Sequence, residues 1–181
     1  MVYKFVILSD EVDDFRREIE IDAEATFLEL NNIIMKTCKY KTDQMSAFYL
    51  CNSDWERTES ITMDVMDDDP NHNALLMDKT HLSDLISQEE AENRAKLIFI
   101  FDTMCDRGLF MQVREVIEHK HLLAPAVVTE KGKAPKQEGD LDDMFKDFND
   151  EMALYGDEDY DPDEIDLEGY QNLEDIESAG Y

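Results

Sequence analysis

Residues 15–21 run Phe15-Arg16-Arg17-Glu18-Ile19-Glu20-Ile21, and this stretch together with the segment after it decides the fold class. Apolar and charged residues alternate, so that Phe15, Ile19 and Ile21 fall on one face. This alternation is typical of a strand with one solvated face. From Thr26 onward the apolar period changes to three and four residues. A strand followed so closely by a helical pattern predicts a domain that mixes α and β structure.

The helical segment has a clear start. Thr26 is followed three residues later by Glu29, which is the spacing of a capping box. Asp22 is a rival N-cap. The apolar residues behind the cap form one stripe of the helix, at Phe27, Leu30, Ile33, Ile34 and Cys38. The pattern predicts a helix that ends near Lys39.

Strand patterns lie on both sides of this helix. Residues 2–8 predict a strand that pairs with residues 15–21 as an antiparallel hairpin. Further strands are expected at residues 45–51 and 60–65, in the very apolar run 96–101, and in its partner 109–117. Thr80 is the expected N-cap of a short helix. The sequence therefore predicts an α+β domain with a mostly antiparallel sheet of five to six strands and one main helix packed on it.

Composition divides the chain into four parts. Residues 1–128 form the expected α+β domain, and residues 129–140, which are polar and contain glycine and proline, are interpreted as a linker. Residues 141–156 have the apolar spacing of a short amphipathic helix. Residues 157–181 have too few apolar side chains for a core and are expected to be a mobile acidic tail.

The net charge of −28 is concentrated near the C-terminus. Residues 138–181 contain 18 acidic residues and one basic residue, whereas residues 1–137 contain 27 acidic and 16 basic residues. Such acidity opposes direct binding to nucleic acid or to an anionic membrane surface. It favours a basic protein partner.

Nothing in the chain predicts export or membrane insertion. The first eight residues lack the basic segment of a secretory signal, and no apolar run approaches the roughly 20 residues that a spanning helix needs. The three cysteines, Cys38, Cys51 and Cys105, are odd in number and widely spaced, which is typical of free thiols. The expected location is the cytoplasm.

Short motifs in a fixed order resemble those of the plasmid pRiA-four-b ORF-three-like family. The chain matches an aromatic-Arg-Arg strand at 15–19, a Thr-Leu-x-x-Leu helix start at 26–30, an aromatic strand with acidic residues at 99–106, and a Gly-x-Ala-Pro stretch at 132–138. Phe15 stands where the family has tryptophan. The resemblance covers about residues 2–139 and implies a single α+β domain with no established activity. Some members are associated with mobile genetic elements.

One pattern admits a catalytic interpretation. Asp102 and Asp106 flank a predicted strand end beside Cys105, and with His119 they would provide carboxylate and imidazole groups for a metal-dependent or nuclease-like enzyme. The competing interpretation is that the two aspartates form a turn and that His119 faces solvent. Acidic neighbours also raise the pKa of a thiol, which opposes a nucleophilic Cys105.

Residues 157–168 have the carboxylate spacing of a calcium-binding loop, but Pro162 stands where such a loop requires glycine. No cofactor or metal is therefore predicted.

The tail is the strongest candidate for binding. Aromatic residues recur among its carboxylates, and we expect them to contact a partner: Phe145, Phe148, Tyr155, Tyr160, Tyr170 and Tyr181. Three alternatives stay open, namely a basic protein partner, mimicry of nucleic acid, and packing of the tail on its own domain. In the last case the basic residues at 16–17 and 36–41 would receive it. The sequence favours a non-enzymatic interaction protein over an enzyme.

Overall fold

The computed structural model describes residues 1–64 and 75–138 of the chain. Within these residues three helices accompany eight strands. The helices are α1 (Phe27–Cys38), α2 (Leu82–Leu85) and α3 (Gln88–Glu92). The strands are β1 (Val2–Leu8), β2 (Arg16–Asp22), β3 (Ala47–Cys51), β4 (Arg57–Thr62), β5 (Leu75–Leu76), β6 (Lys96–Asp102), β7 (Arg107–Ile117) and β8 (Ala126–Lys131).

All eight strands belong to one sheet in the order β5-β4-β3-β6-β7-β1-β2-β8. Neighbouring strands are antiparallel except for β4 and β5, which are parallel. The predicted α+β class, the opening β1–β2 hairpin and the interior position of the 96–101 run are confirmed. The expected count of five to six strands is wrong, because the sheet is larger.

The two strands missed by the sequence pattern both lie at sheet edges. β5 has only two residues, which is too short to show alternation. β8 is exposed along most of its length, so it carries no buried apolar face. Its last three residues, 129–131, are the first three of the segment interpreted as a linker.

Helix α1 begins as predicted. The Thr26 backbone N–H donates to Glu29 Oε2 at 2.9 Å, and the Glu29 backbone N–H donates to Thr26 Oγ1 at 3.3 Å, which completes the capping box. The helix ends at Cys38, and Lys39 takes a left-handed conformation with φ 60°. The cap predicted at Thr80 is one residue off, because His81 is the N-cap of α2.

The core lies between α1 and one face of the sheet. Phe27 of α1 contacts Phe48 of β3 with ring centroids 5.5 Å apart, and Phe48 contacts Phe99 of β6 at 4.9 Å. All three side chains are fully buried, and each contributes roughly 2–3 kcal/mol through burial. The predicted apolar stripe of α1 is therefore the face that meets the sheet, with Leu30 and Ile34 also fully buried.

The chain separates into two units, residues 1–139 and residues 140–181. The amphipathic helix expected at 141–156 and the acidic tail expected at 157–181 lie outside the described residues. Among the helices that are described, none has the length and apolar character needed to cross a membrane.

Candidate functional site

Asp106, which the alternative catalytic interpretation uses, is held by an arginine from another strand. Its two carboxylate oxygens accept hydrogen bonds from Arg57 Nη1 and Nη2, each at 2.9 Å. The same hydrogen bonds raise the pKa of Arg57. Both side chains are well exposed, so the pair contributes little to stability. Asp106 joins the β6–β7 turn to β4.

Asp102 builds the turn between β6 and β7. Its Oδ1 accepts hydrogen bonds from the backbone N–H groups of Met104, at 3.1 Å, and Cys105, at 3.2 Å. Its Oδ2 lies 3.5 Å from Arg107 Nη1. Desolvation, followed by the hydrogen bond to Asp102 and its negative charge, raises the pKa of the Cys105 thiol. The thiol therefore stays protonated near neutral pH and is a poor nucleophile.

His119 lies far from both aspartates. Asp106 immediately precedes β7, whereas His119 follows its other end, and the strand has 11 residues. At about 3.3 Å per residue, roughly 35 Å separate the two positions. The His119 side chain is 95% exposed. The structure thus does not bring Asp102, Asp106 and His119 together, and within residues 1–64 and 75–138 no three His, Cys, Asp or Glu side chains are grouped to hold a metal ion.

Arg17, one of the basic residues named as possible contacts of the acidic tail, is instead a buried anchor. Its side chain is 3% exposed and lies over the Phe15 ring at 4.6 Å. Arg17 Nη1 donates to the carbonyl oxygen of Lys131 at 2.6 Å, and Nη2 donates to that of Gly132 at 3.2 Å. The helix also takes part, since Arg17 Nε donates to Thr37 Oγ1 at 3.1 Å. One side chain therefore ties β2, α1 and β8 together.

The segment that follows β8, residues 132–138, is here called the strap. Arg107 donates to the carbonyl oxygen of Lys136 at 2.8 Å and holds Glu11 through two hydrogen bonds of 2.8 and 2.6 Å. The Gln137 amide pairs with the backbone of Lys41, accepting at 2.6 Å and donating at 2.8 Å. Residues 129–138 are therefore part of the domain rather than a free connection.

Gly132 is required where the strap leaves β8. Its φ is +69°, which side-chain-bearing residues rarely adopt. A Cβ atom at this position would lie 2.4 Å from the carbonyl oxygen of Asp14. The glycine lets the strap pass close to the chain just before β2.

Aromatic side chains gather on the face of the sheet opposite α1. Trp55, from the β3–β4 turn, meets Phe110 of β7 edge to face at 5.2 Å. Lys96 Nζ lies 4.9 Å from the Trp55 ring, and the Arg57 guanidinium lies 4.6 Å from the Tyr49 ring. Trp55 has φ +66°, an uncommon conformation for a bulky residue. This backbone conformation occurs in the turn in which the indole ring lies over part of the sheet.

A cleft of about 740 Å³ lies between the β3–β4 hairpin and helices α2 and α3. Glu59 lies on one wall and Glu89 on another, and Arg94 and Lys96 also line it. Lys96 Nζ is already engaged, because it donates to the carbonyl oxygen of Ser53 at 2.5 Å. The cleft mixes both signs of charge and favours neither an anionic nor a cationic ligand.

Many of the domain's cations are committed to its own carboxylates. Among the described residues, seven of the 16 lysine and arginine residues before Gly139 pair with carboxylates of residues 1–137, namely Lys4, Arg16, Arg17, Arg57, Arg107, Lys120 and Lys131. Lys41 pairs with Glu138, the first residue of the acidic stretch 138–181. The basic grouping noted at 16–17 and 36–41 is therefore partly neutralised within the domain. Arg17 in particular is buried and cannot serve as a surface cation.

The predicted partner-binding aromatics Phe145, Phe148, Tyr155, Tyr160, Tyr170 and Tyr181 lie outside the described residues. The sequence missed the anchoring roles of Arg17 and Arg107. The sequence did contain a sign of the buried position of Arg17. In residues 15–21, Arg17 lies on the same strand face as the apolar residues Phe15 and Ile19.

Comparison with known proteins gives the fold and nothing further. No protein-family model matches the chain, and no curated protein matches it. Among solved structures, the chain is similar to the crystal structure of a protein of unknown function from Methanosarcina mazei Go1. The TM-score is 0.59 at 17% sequence identity, over 89% of this chain and 91% of the other. At this identity the similarity establishes a shared fold.

Proposed function

We propose that the protein is a non-enzymatic interaction protein, in which the α+β domain carries an acidic C-terminal segment that binds a basic protein partner. The segment comprises residues 138–181, in which the sequence predicts an amphipathic helix at 141–156 and an acidic tail at 157–181. Its carboxylates would pair with cations of the partner, and its aromatic side chains would fill apolar positions between them. Ordering of the segment on contact would accompany binding.

The observation that carries this proposal is the imbalance of charge. The segment has 18 acidic residues against one basic residue, while seven of the 16 cations of residues 1–137 already pair with carboxylates of the same residues. The domain therefore offers few unpaired cations relative to the carboxylates of the segment. A basic surface on another protein supplies the missing counter-charge.

Geometry does not favour the enzyme alternative. Asp102 shapes a turn, Asp106 pairs with Arg57, and His119 lies at the far end of β7. General acid–base or metal-assisted chemistry needs such groups within reach of one reacting atom. We therefore do not assign a reaction to these residues.

Two further expectations remain part of the proposal. We propose that the chain belongs to the plasmid pRiA-four-b ORF-three-like family, and its fit is supported by two of the matched motifs meeting in space, since Arg17 donates to the carbonyl oxygen of Gly132. We also propose a cytoplasmic location, in keeping with three free cysteines.

A titration with defined peptides tests the binding proposal. The full chain is titrated with a capped amphipathic peptide of leucine and lysine, and with a matched peptide in which glutamate replaces every lysine. A carboxamide variant carries Asp157→Asn, Asp159→Asn, Asp161→Asn and Asp163→Asn. We expect the basic peptide to bind the wild type, and the carboxamide variant to bind it at least tenfold more weakly. Affinity should fall steeply with added salt.

The matched control moves the same four changes to the domain surface, as Asp54→Asn, Glu59→Gln, Asp78→Asn and Glu89→Gln. These side chains are exposed and lie outside the acidic segment. If this variant loses as much affinity as the carboxamide variant, the segment has no special role. A third variant with Tyr160→Ser and Tyr170→Ser keeps the charge, and unchanged affinity there would contradict the aromatic contribution.

A further inference from the structure

Among the strands that the structure describes, β8 lies at one edge of the sheet. Its neighbour is β2, and the sheet order ends with β8. Such a strand presents a row of backbone N–H and C=O groups on its outer side. With six residues, β8 is long enough to pair with another strand, unlike the two-residue β5 at the opposite edge.

An exposed apolar run leads into this edge. Residues 122–128 are Leu122-Leu123-Ala124-Pro125-Ala126-Val127-Val128, and none of the seven is buried. Leu123 is fully exposed, Val128 is 50% exposed and Val127 is 37% exposed. Seven consecutive apolar residues on the surface do not help to keep this chain, whose net charge is −28, soluble. Exposed apolar stretches of this kind are typical of interaction sites.

Two exposed lysines lie at one end of this edge, although the chain as a whole is strongly acidic. Lys131 ends β8 and Lys133 follows it, and both are exposed. Glu130, the acidic residue between Val128 and Lys131, lies 3.6 Å from the buried Arg17 guanidinium, which offsets its charge. Lys131 has one weak ion pair, with Asp14 at 4.0 Å. At physiological salt, charges within about 8 Å dominate the local potential.

The edge is also held rigid from behind. Arg17 donates to the carbonyl oxygen of Lys131 at 2.6 Å and Thr129 Oγ1 donates to Glu18 Oε2 at 3.1 Å. The strap beyond Gly132 is fixed by Arg107 and Gln137. A preformed strand loses little conformational entropy when another strand pairs with it.

We propose that β8 is a docking edge for an extended acidic segment of a partner protein, which adds to the sheet as a further strand. Backbone hydrogen bonds to the outer side of β8 would provide affinity. Apolar side chains of the added strand would cover Val127 and Val128, and its carboxylates would pair with Lys131 and Lys133. This surface differs from the acidic segment and prefers the opposite charge, so the inference goes beyond the proposed function.

Three capped eight-residue peptides test the proposal against the full chain. The first alternates valine and glutamate, the second alternates valine and lysine, and the third repeats the first with alternate amide nitrogens methylated. We expect the glutamate peptide to bind and to slow amide hydrogen exchange in residues 126–131. The lysine peptide and the methylated peptide should both bind at least tenfold more weakly. The lysine peptide lacks the complementary charge, and the methylated peptide lacks the backbone N–H donors that a β-ladder needs.

Charge reversal identifies the surface. The double variant Lys131→Glu and Lys133→Glu should bind the glutamate peptide at least tenfold more weakly than the wild type. The matched double variant Lys36→Glu and Lys79→Glu, also at exposed positions, should bind it with an affinity within twofold of the wild type.

The proposal is overturned if the glutamate peptide does not bind the full chain, or if it binds without protecting residues 126–131 from exchange. Amides of β8 that are protected before any peptide is added overturn it too, because the edge is then already occupied. The carboxamide variant of the acidic segment should bind the glutamate peptide at least as well as the wild type, which separates this result from failure of the proposed function.

Discussion

The guanidinium of Arg17 donates four hydrogen bonds from a side chain that is 3% exposed. Two of its acceptors are carbonyl oxygens more than 110 residues away in sequence, which makes it a long-range link between β2 and the end of β8. A planar group with five donors suits such a site, and an ammonium group does not. At the scale of single residues, the C-terminal part of the domain depends on this side chain.

Replacing Arg17 by lysine should therefore be costly. We expect Arg17→Lys to lower the free energy of unfolding by roughly 2–4 kcal/mol, because an ammonium group cannot keep all four hydrogen bonds, and two partly buried carbonyl oxygens lose their donors. Arg16→Lys is the matched control, since the Arg16 side chain is 43% exposed, and it should change stability by less than about 0.5 kcal/mol. Urea denaturation measures both. Equal effects of the two substitutions would contradict the anchoring role.

Gly132 gives a second test of how the strap leaves β8. Gly132→Ala should destabilise the protein by roughly 1–3 kcal/mol, because φ +69° is unfavourable and the new Cβ would lie 2.4 Å from the Asp14 carbonyl oxygen. Lys133→Ala, at the next position, removes an exposed side chain and should be close to neutral. Thermal unfolding followed by circular dichroism compares them. An unchanged melting temperature for Gly132→Ala would show that the strap does not pass Asp14 this closely.

Cys38 gives the pH dependence of stability a defined sign. Burial raises the pKa of its thiol to about 12. Because the folded pKa lies above that of the unfolded chain, near 8.5, the contribution is complete below pH 8.5 and is lost as the pH rises towards 12. Between pH 9 and 11 the wild type should lose up to about 1.4 kcal/mol per pH unit more than Cys38→Ala. Urea denaturation at a series of pH values measures this difference, and parallel curves would contradict it.

At the scale of elements, the helices and strands that bury apolar side chains were the ones that the sequence pattern could locate. β2 and α1 each have one buried and one solvated face, so their hydrophobic periods locate them in the sequence. β1 is buried on both faces along most of its length, and it shows in the sequence as an apolar run. β8 has no buried apolar face and is stabilised by pairing with β2 and by Arg17, neither of which leaves a local pattern. The same holds for the strap, whose glycine and proline are typical of linkers even though Pro135 is buried.

The capping box of α1 permits a prediction at this scale. Thr26→Ala removes the acceptor for the Glu29 backbone N–H and should cost about 1 kcal/mol. Thr58→Ala is a suitable control, because Thr58 is exposed on β4 and only its hydroxyl hydrogen bond to Leu50 is lost. Denaturant midpoints report both variants. A loss no greater than that of Thr58→Ala would mean that α1 does not depend on its cap.

At the scale of the whole molecule, the division of charge could be predicted in full, whereas the candidate site could be predicted only in part. Counting residues is enough to locate the acidic segment after residue 137. Whether Asp102, Asp106 and His119 lie close together could be judged only once the strand lengths were known. The three residues lie within 18 positions of one another in sequence, but the 11-residue strand β7 separates His119 from the two aspartates. The basic, apolar edge at β8 likewise required the sheet order.

Affinity capture from the native cell tests the central claim, that the acidic segment binds a basic partner, most directly. Full-length wild-type protein, the carboxamide variant at 157–163 and the domain-surface control with the same number of substitutions are compared by quantitative mass spectrometry. The account predicts a small set of basic proteins that the wild type and the surface control retain at physiological salt and that the carboxamide variant loses. Retention of the same proteins by all three, or capture of acidic proteins alone, would contradict it.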